Sequence, residues 1–309
     1  MRRILAAAAL VLLAACQSEQ VAPERLPRFV PLATPPKVAL VLGSGGPRGF
    51  AHIGVIKVLE EAGVRPDFII GSSVGALVGA LYASGYTAPQ LEQFAYDLSM
   101  LEFFELSMLR GAKASGTPIQ HYVNECVGHR AIEQLRIPFA AAVTRVSDRK
   151  LVLFTHGDTG LAVRASGADP DEFQPVKVGN DMYVDGDVVS PVPIHAARAL
   201  GAKVVIAVDV SAFAEDTPEG VPKEWIDKDA RRAAQVRVEA PQADVLLHPN
   251  IGYYAGYKES YRRRVIAAAE AYTRAHLAEI RAAFAHAGLA LPVRQASSTA
   301  LTPPGVTSR

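Results

Sequence analysis

Residues 68–84 constrain this chain more than any other stretch. A short apolar run, 68–71, leads directly into Gly71-Ser72-Ser73-Val74-Gly75, and small and apolar residues continue from 74 to 84. A continuous apolar run of this length, closed by glycine, reads as a strand buried on both faces, and the small-residue run reads as a close-packing helix. A strand that turns straight into a helix, with glycine on either side of a serine, pushes that hydroxyl out of the sheet. There a carbonyl carbon can reach it.

The same pattern occurs once upstream. Residues 37–42 form an apolar run, followed by Gly43-Ser44-Gly45-Gly46-Pro47-Arg48-Gly49 and then by residues 50–62, with Ile53, Ile56, Leu59 and Ala62 on one helical face. Two strand–turn–helix units in succession predict a mostly parallel sheet with right-handed connections. Backbone N–H groups in such a glycine loop can point at a developing oxyanion, and they suit a nucleotide phosphate equally well. Farther on, residues 176–177 and 182–184 flank Gly179-Asn180-Asp181, a hairpin pattern that delivers Asp185-Gly186 to a strand end. Singly, each motif has a purely structural reading. Nucleophile, donor loop and carboxylate in this order, each at a strand end, point to an acyl hydrolase.

A serine hydroxyl needs a base to take its proton. A Ser-Asp-His order is one alternative, with His195, His248, His276 and His286 following Asp185. Three of them fall in helical patterns, which leaves His248, in a loop before Pro249, as the candidate third member. The other alternative is Asp185 acting directly. An ordinary aspartate, with a pKa of about 3.9, is a weak base, so burial or a neighbouring like charge must raise it. Asp187, two residues on, is expected to supply that charge.

Together the segments Gly43–Gly49, Gly71–Gly75 and Asp185–Gly186 resemble the three motifs of the patatin-like phospholipases. The resemblance extends over about residues 37–290, through Phe50-Ala51-His52, Ala165-Ser166, Pro191-Val192-Pro193 and Ile251-Gly252-Tyr253-Tyr254. It implies an α/β fold, a three-layer α/β/α sandwich around a mostly parallel sheet, and a Ser-Asp dyad that needs no histidine, metal or organic cofactor. By this resemblance Ser73 is the nucleophile and Asp185 the general base and later acid. Gly45 and Gly46 supply the oxyanion hole, Arg48 and Gly49 complete the substrate-binding loop, and Gly71, Gly75 and Gly186 support the motifs. The implied activity is serine acyl-ester hydrolysis of the phospholipase A, lysophospholipase or esterase type. A catalytically weak or inactive lipid-binding outer-membrane lipoprotein on the same fold, or an acyltransferase, is the alternative. Three features depart from the family pattern: Ser44 in the glycine loop, Asp187 after Asp-Gly, and the acidic segment Ala168-Asp169-Pro170-Asp171-Glu172.

The N-terminus carries a separate message. Arg2 and Arg3 precede an apolar run, 4–15, too short to span a bilayer and typical of an export signal. Leu13-Ala14-Ala15-Cys16 resembles a bacterial lipoprotein box, which implies cleavage after residue 15, lipidation of Cys16, and, with Gln17 following, an outer-membrane location. Residues 16–36 then form a proline-rich linker, 37–290 the hydrolase domain, and 291–309 a disordered tail. Cys126, the remaining cysteine, reads as a small core residue. A formal net charge of +1 argues against a nucleic-acid partner, and the expected partner is a membrane lipid or ester substrate. Elsewhere, residues 211–242 read as charged loop and 258–287 as one amphipathic closing helix with Arg262-Arg263-Arg264 on its solvated face. The apolar run 100–109 reads as core or as a flap over the site.

Overall fold

The computed structural model describes residues 22, 25–99 and 111–291. Cys16 and the export signal, the 100–109 run and the tail from 292 onward lie outside the described residues. In chain order the elements are β1 (Val38–Leu42), α1 (Ala51–Glu61), β2 (Phe68–Ser72), α2 (Val74–Ser84), α3 (Ala88–Asp97) and α4 (Thr117–Cys126). Then come β3 (Phe139–Arg145), β4 (Leu151–Phe154), α5 (Thr159–Ser166), β5 (Val176–Val178) and β6 (Asp181–Asp185). The chain closes with α6 (Ile194–Ala199), β7 (Val204–Val208), α7 (Lys223–Glu239), β8 (Val245–Leu247), α8 (Glu259–Ala275) and α9 (Leu277–His286).

All eight strands belong to one sheet. Strands β3, β2, β1, β7 and β8 run parallel in that order, while β4, β5 and β6 add an antiparallel flank through β3. Every residue of β1, β2 and β7 is buried, as expected of strands covered on both faces. Alternate side chains feed two separate apolar clusters. Val38, Leu40 and Leu42 join one with α1, α2, α4, α5, α8 and α9. Ala39 and Val41 join the other with α6 and Val236 of α7. The result is the expected three-layer arrangement, thick on one face and thin on the other, with a mixed rather than wholly parallel sheet.

Three expectations need correction. Residues 223–239 are helical, not loop. The face of α7 that packs on the protein carries Lys228, Arg232, Gln235 and Glu239, at i, i+4, i+7 and i+11, whereas Trp225 and Val238 are exposed. A helix that buries a charged stripe leaves no apolar periodicity to read. The closing helix is broken at His276, whose N–H reaches back to the carbonyls of Tyr272 and Thr273; no proline or glycine signals the break. Arg262 is buried, not solvated: it donates to the carbonyls of Ala95 and Leu98 at the end of α3 and to that of Tyr257, and its guanidinium lies 5.5 Å from the centre of the Phe50 ring. Arg263 and Arg264 are exposed as expected. Cys126 is partly buried against the larger cluster.

Candidate active site

Ser73 sits where β2 becomes α2, with φ 55° and ψ −123°. A β-carbon on Gly71 would lie 2.3 Å from the Gly75 carbonyl oxygen, and one on Gly75 would lie 2.1 Å from that of Leu42. The turn therefore closes tightly enough to hold a non-glycine residue in a left-handed conformation, which is costly unless its surroundings enforce it.

Strand register brings the carboxylate to the serine. Each residue of β3 has two edges, and β4 occupies one of them from Ala141 to Thr144. On the other edge β2 pairs up to Ser72–Ala142, and β6 takes over at the next residue, Val143, opposite Asp185. The end of β6 thus abuts the end of β2 along a shared neighbour. Ser73 Oγ donates to Asp185 Oδ2 at 2.7 Å, while Asp185 Oδ1 accepts the Asp187 N–H at 2.8 Å. Thr144 Oγ donates to the Asp185 carbonyl, and the Asp185 N–H donates to that of Ala168. Gly186 is needed for this approach, because a β-carbon there would meet the Ala142 carbonyl at 2.5 Å and Ser72 Oγ at 2.7 Å.

Asp185 is 3% exposed. Burial first, and then the charge of Asp187, push its carboxyl well above the ordinary range, opposed by the hydrogen bond from Ser73. The expected effect of Asp187 is present. The strand ends at Asp185 and the chain turns into a short 3-10 segment, in which the Asp187 N–H meets the Asp185 carboxylate.

One further contact sets the serine. The β2–β3 ladder has a rung from Ile69 N–H to the Pro138 carbonyl, and at the two-residue spacing of such a ladder Ser73 N–H, two rungs on, would face the Ala142 carbonyl. The Ser166 hydroxyl stands in that rung, accepting from Ser73 N–H at 3.0 Å and donating to Ala142 O at 2.6 Å. Ser166 was legible only as part of the family resemblance.

In the glycine loop, Gly43 and Ser44 N–H groups donate to the carbonyls of Val208 and Pro191. Those of Gly45 and Gly46 have no acceptor among the described residues. Gly46 has φ 54°, whereas Ser44 does not occupy the left-handed region, which explains why a serine is tolerated there. Arg48 donates to the Tyr253 carbonyl and makes no contact with Asp67, which accepts the N–H groups of Lys37 and Val38. Its Nε has no partner among the described residues, and burial and the Arg232 charge lower its pKa. Gly49 is buried against Val74 of the serine turn.

The three departures from the family pattern all meet α7. Arg232 Nη donates to Ser44 Oγ at 2.9 Å, and its Nε lies 2.8 Å from Asp187 Oδ1 in an ionic contact whose N–H is not aligned as a hydrogen bond. Ser44 Oγ in turn donates to Asp187 Oδ1. Lys228 donates at 2.8 Å to Asp169 and to Asp171. Spacing four apart in a stretch dense in helix formers was the sequence signal for this pair, masked by the loop reading.

No histidine bonds to Ser73 or Asp185 among the described residues. His248 stacks on Phe213 and bonds the Ser211 carbonyl. His195 faces Glu239 and His276 bonds within its helix; His286 is exposed at the end of α9. His52 is fully buried, donates from Nε2 to the Gly43 carbonyl at 2.8 Å, and is kept neutral by burial, with its pKa pushed down to about 4.

Residues 40–198 match the family model described as patatin-like phospholipase. The chain belongs to the patatin-like phospholipase family. It is 36% identical over 206 residues, 63% of its length, to an uncharacterized NTE family protein of Mycobacterium bovis. It is 34% identical over 189 residues, 59% of its length, to the lysophospholipase NTE1 of Coccidioides immitis. The matched region spans 56% of the mycobacterial relative and 12% of the fungal one. Among solved structures, VipD from Legionella pneumophila superposes with a TM-score of 0.55 at 13% identity, covering 86% of this chain and 72% of that one, a likeness of fold.

Proposed function

We infer that this family member hydrolyses carboxylic esters of lipids through an acyl-enzyme on Ser73. The hydrogen bond from Ser73 Oγ to a buried Asp185 with a raised pKa carries the reading. Asp185 takes the hydroxyl proton as Oγ attacks the ester carbonyl. The resulting oxyanion lies against the N–H groups of Gly45 and Gly46, and the Asp185 proton passes to the departing alkoxide. Water then attacks the acyl-serine, giving its proton to Asp185, and Ser73 is restored as the fatty acid leaves. A carboxylate lifted above its ordinary pKa is better matched to this proton traffic than an exposed one. Each donor to the oxyanion is worth about 2.7–4 kcal/mol of barrier.

The fungal relative's name, lysophospholipase, supports a lysophospholipid or glycerophospholipid substrate. We assign the head-group phosphate to Arg48, a half-buried cation on the glycine loop. Lipidation of Cys16 would hold the domain at a membrane, the outer membrane by the sorting reading; fatty-acid labelling of the full chain, lost in Cys16→Ser, tests this. The acidic segment favours catalysis less poorly than its composition suggests, because Lys228 engages two of its three carboxylates.

The decisive experiment is labelling with a fluorophosphonate, which reacts with activated serines, alongside release of fatty acid from micellar lysophospholipid. Wild type is expected to label and turn over, and Ser73→Ala and Asp185→Asn to do neither while keeping a wild-type far-ultraviolet spectrum. Undiminished labelling of Ser73→Ala would remove the proposal.

A further inference from the structure

Two of the departures from the family pattern touch each other, and this contact carries an inference about the site just proposed. Ser44 lies on the oxyanion loop and Asp187 on the turn of the base, 143 residues apart in sequence. They are hydrogen bonded, and the guanidinium of Arg232 spans both. Ser44 and Arg232 are 2% and 8% exposed, so water does not compete for these contacts. Asp187 in turn reaches the base through its own N–H on Asp185 Oδ1. A continuous chain therefore runs from the donor loop through Ser44, Arg232 and Asp187 to the carboxylate and the nucleophile.

We propose that Arg232 is a positioning residue: its forked side chain ties the oxyanion loop to the base turn and neutralises Asp187 beside Asp185. The inference rests on the Ser73–Asp185 hydrolase reading. The fork is essential, because one guanidinium can address a carboxylate and a hydroxyl at fixed separation, whereas an ammonium on a flexible stem presents a single point charge. Without Arg232, Asp187 would be a largely enclosed carboxylate with only a hydroxyl for company, a costly state. The charges facing Asp185 are Asp187 on its own turn, Asp169 on the loop after α5, and Arg232 on α7. Arg232 itself faces Asp209 after β7, Asp229 on α7 and Arg48 of the glycine loop. Lys228 holds Asp169, and His248 lies 3.7 Å from Asp209.

The variants separate geometry from charge, with hydrolysis of p-nitrophenyl butyrate followed across pH. Ser44→Ala removes one hydroxyl and no charge; kcat is expected to fall with KM and the acidic limb of kcat/KM unmoved. Arg232→Lys keeps the charge and loses the fork, so kcat should fall on the order of 10-fold while the limb stays in place. Asp187→Asn removes the like charge beside Asp185 and should move the limb to lower pH. The double variant Asp187→Asn/Arg232→Met removes both charges and should place the limb between those of wild type and Asp187→Asn. Arg232→Lys with wild-type kcat, or Asp187→Asn with an unmoved limb, would overturn the proposal. The Ser73→Ala control distinguishes failure of the hydrolase reading, which would appear as turnover that survives it. The tie is also read without turnover: if the shifts of Ser44→Ala and Arg232→Lys in urea unfolding midpoint merely add in the double variant, the two side chains are not linked and the inference fails.

Discussion

Replacing Ser166 by alanine probes how the nucleophile is held. Its hydroxyl is fully buried and stands in the rung between Ser73 N–H and Ala142 O. Removing the oxygen strands one donor and one acceptor at once. A buried unsatisfied group costs about 1–3 kcal/mol, which sets a ceiling of about 6 kcal/mol for the pair. The direct rung that the hydroxyl replaces is available to the variant, since both groups already face the gap, so closure should recover roughly half. We expect Ser166→Ala to lose about 2–3 kcal/mol, or about 4–12 °C in melting temperature for a domain of this size. Closing the gap would also draw the Ser73 amide toward β3 and rotate Oγ off Asp185. The rate of fluorophosphonate labelling should then fall on the order of 100-fold, as misplacement by about 1 Å does elsewhere. Circular-dichroism melting and the labelling rate read the two effects separately. A variant that melts within about 1 °C of wild type and labels at its rate would show that the bridge holds neither fold nor nucleophile.

His52 is buried neutral with a pKa of about 4 against about 6.5 unfolded, so its contribution is intact above pH 6.5 and is lost as pH falls toward 4. Urea unfolding should show wild type losing about 2 kcal/mol between pH 7 and 5 through this group, and His52→Gln should flatten that slope. Glu239, buried at the end of α7, accepts from Ser190 Oγ and the His195 N–H. Glu239→Ala is expected to cost about 2–4 kcal/mol in chemical denaturation, and an unchanged midpoint would deny that α7 is anchored there. Because Asp185 is raised by burial and by Asp187, kcat/KM should decline on the acid side at a pH above the usual aspartate range. A limb near pH 4 would contradict that environment.

Much of the architecture was legible because it rests on local pattern. The runs that became β1, β2 and β7 are apolar throughout, and a strand covered on both faces has no other way to look. The glycines at 71 and 75 announced the serine turn because no side chain fits where they stand. What the chain did not disclose was anything that depends on a polar surface meeting another polar surface. Helix α7 buries Arg232 and Glu239 and exposes Trp225, inverting the rule by which helices are recognised. Likewise Ser44 and Asp187 read as two unrelated irregularities until folding placed them in hydrogen-bonding contact. The serine turn was thus settled locally, by steric limits. The environment of Asp185 was decided by register on β3 and by a helix that begins far downstream at Lys223, since burial and charge compensation exist only once distant segments pack.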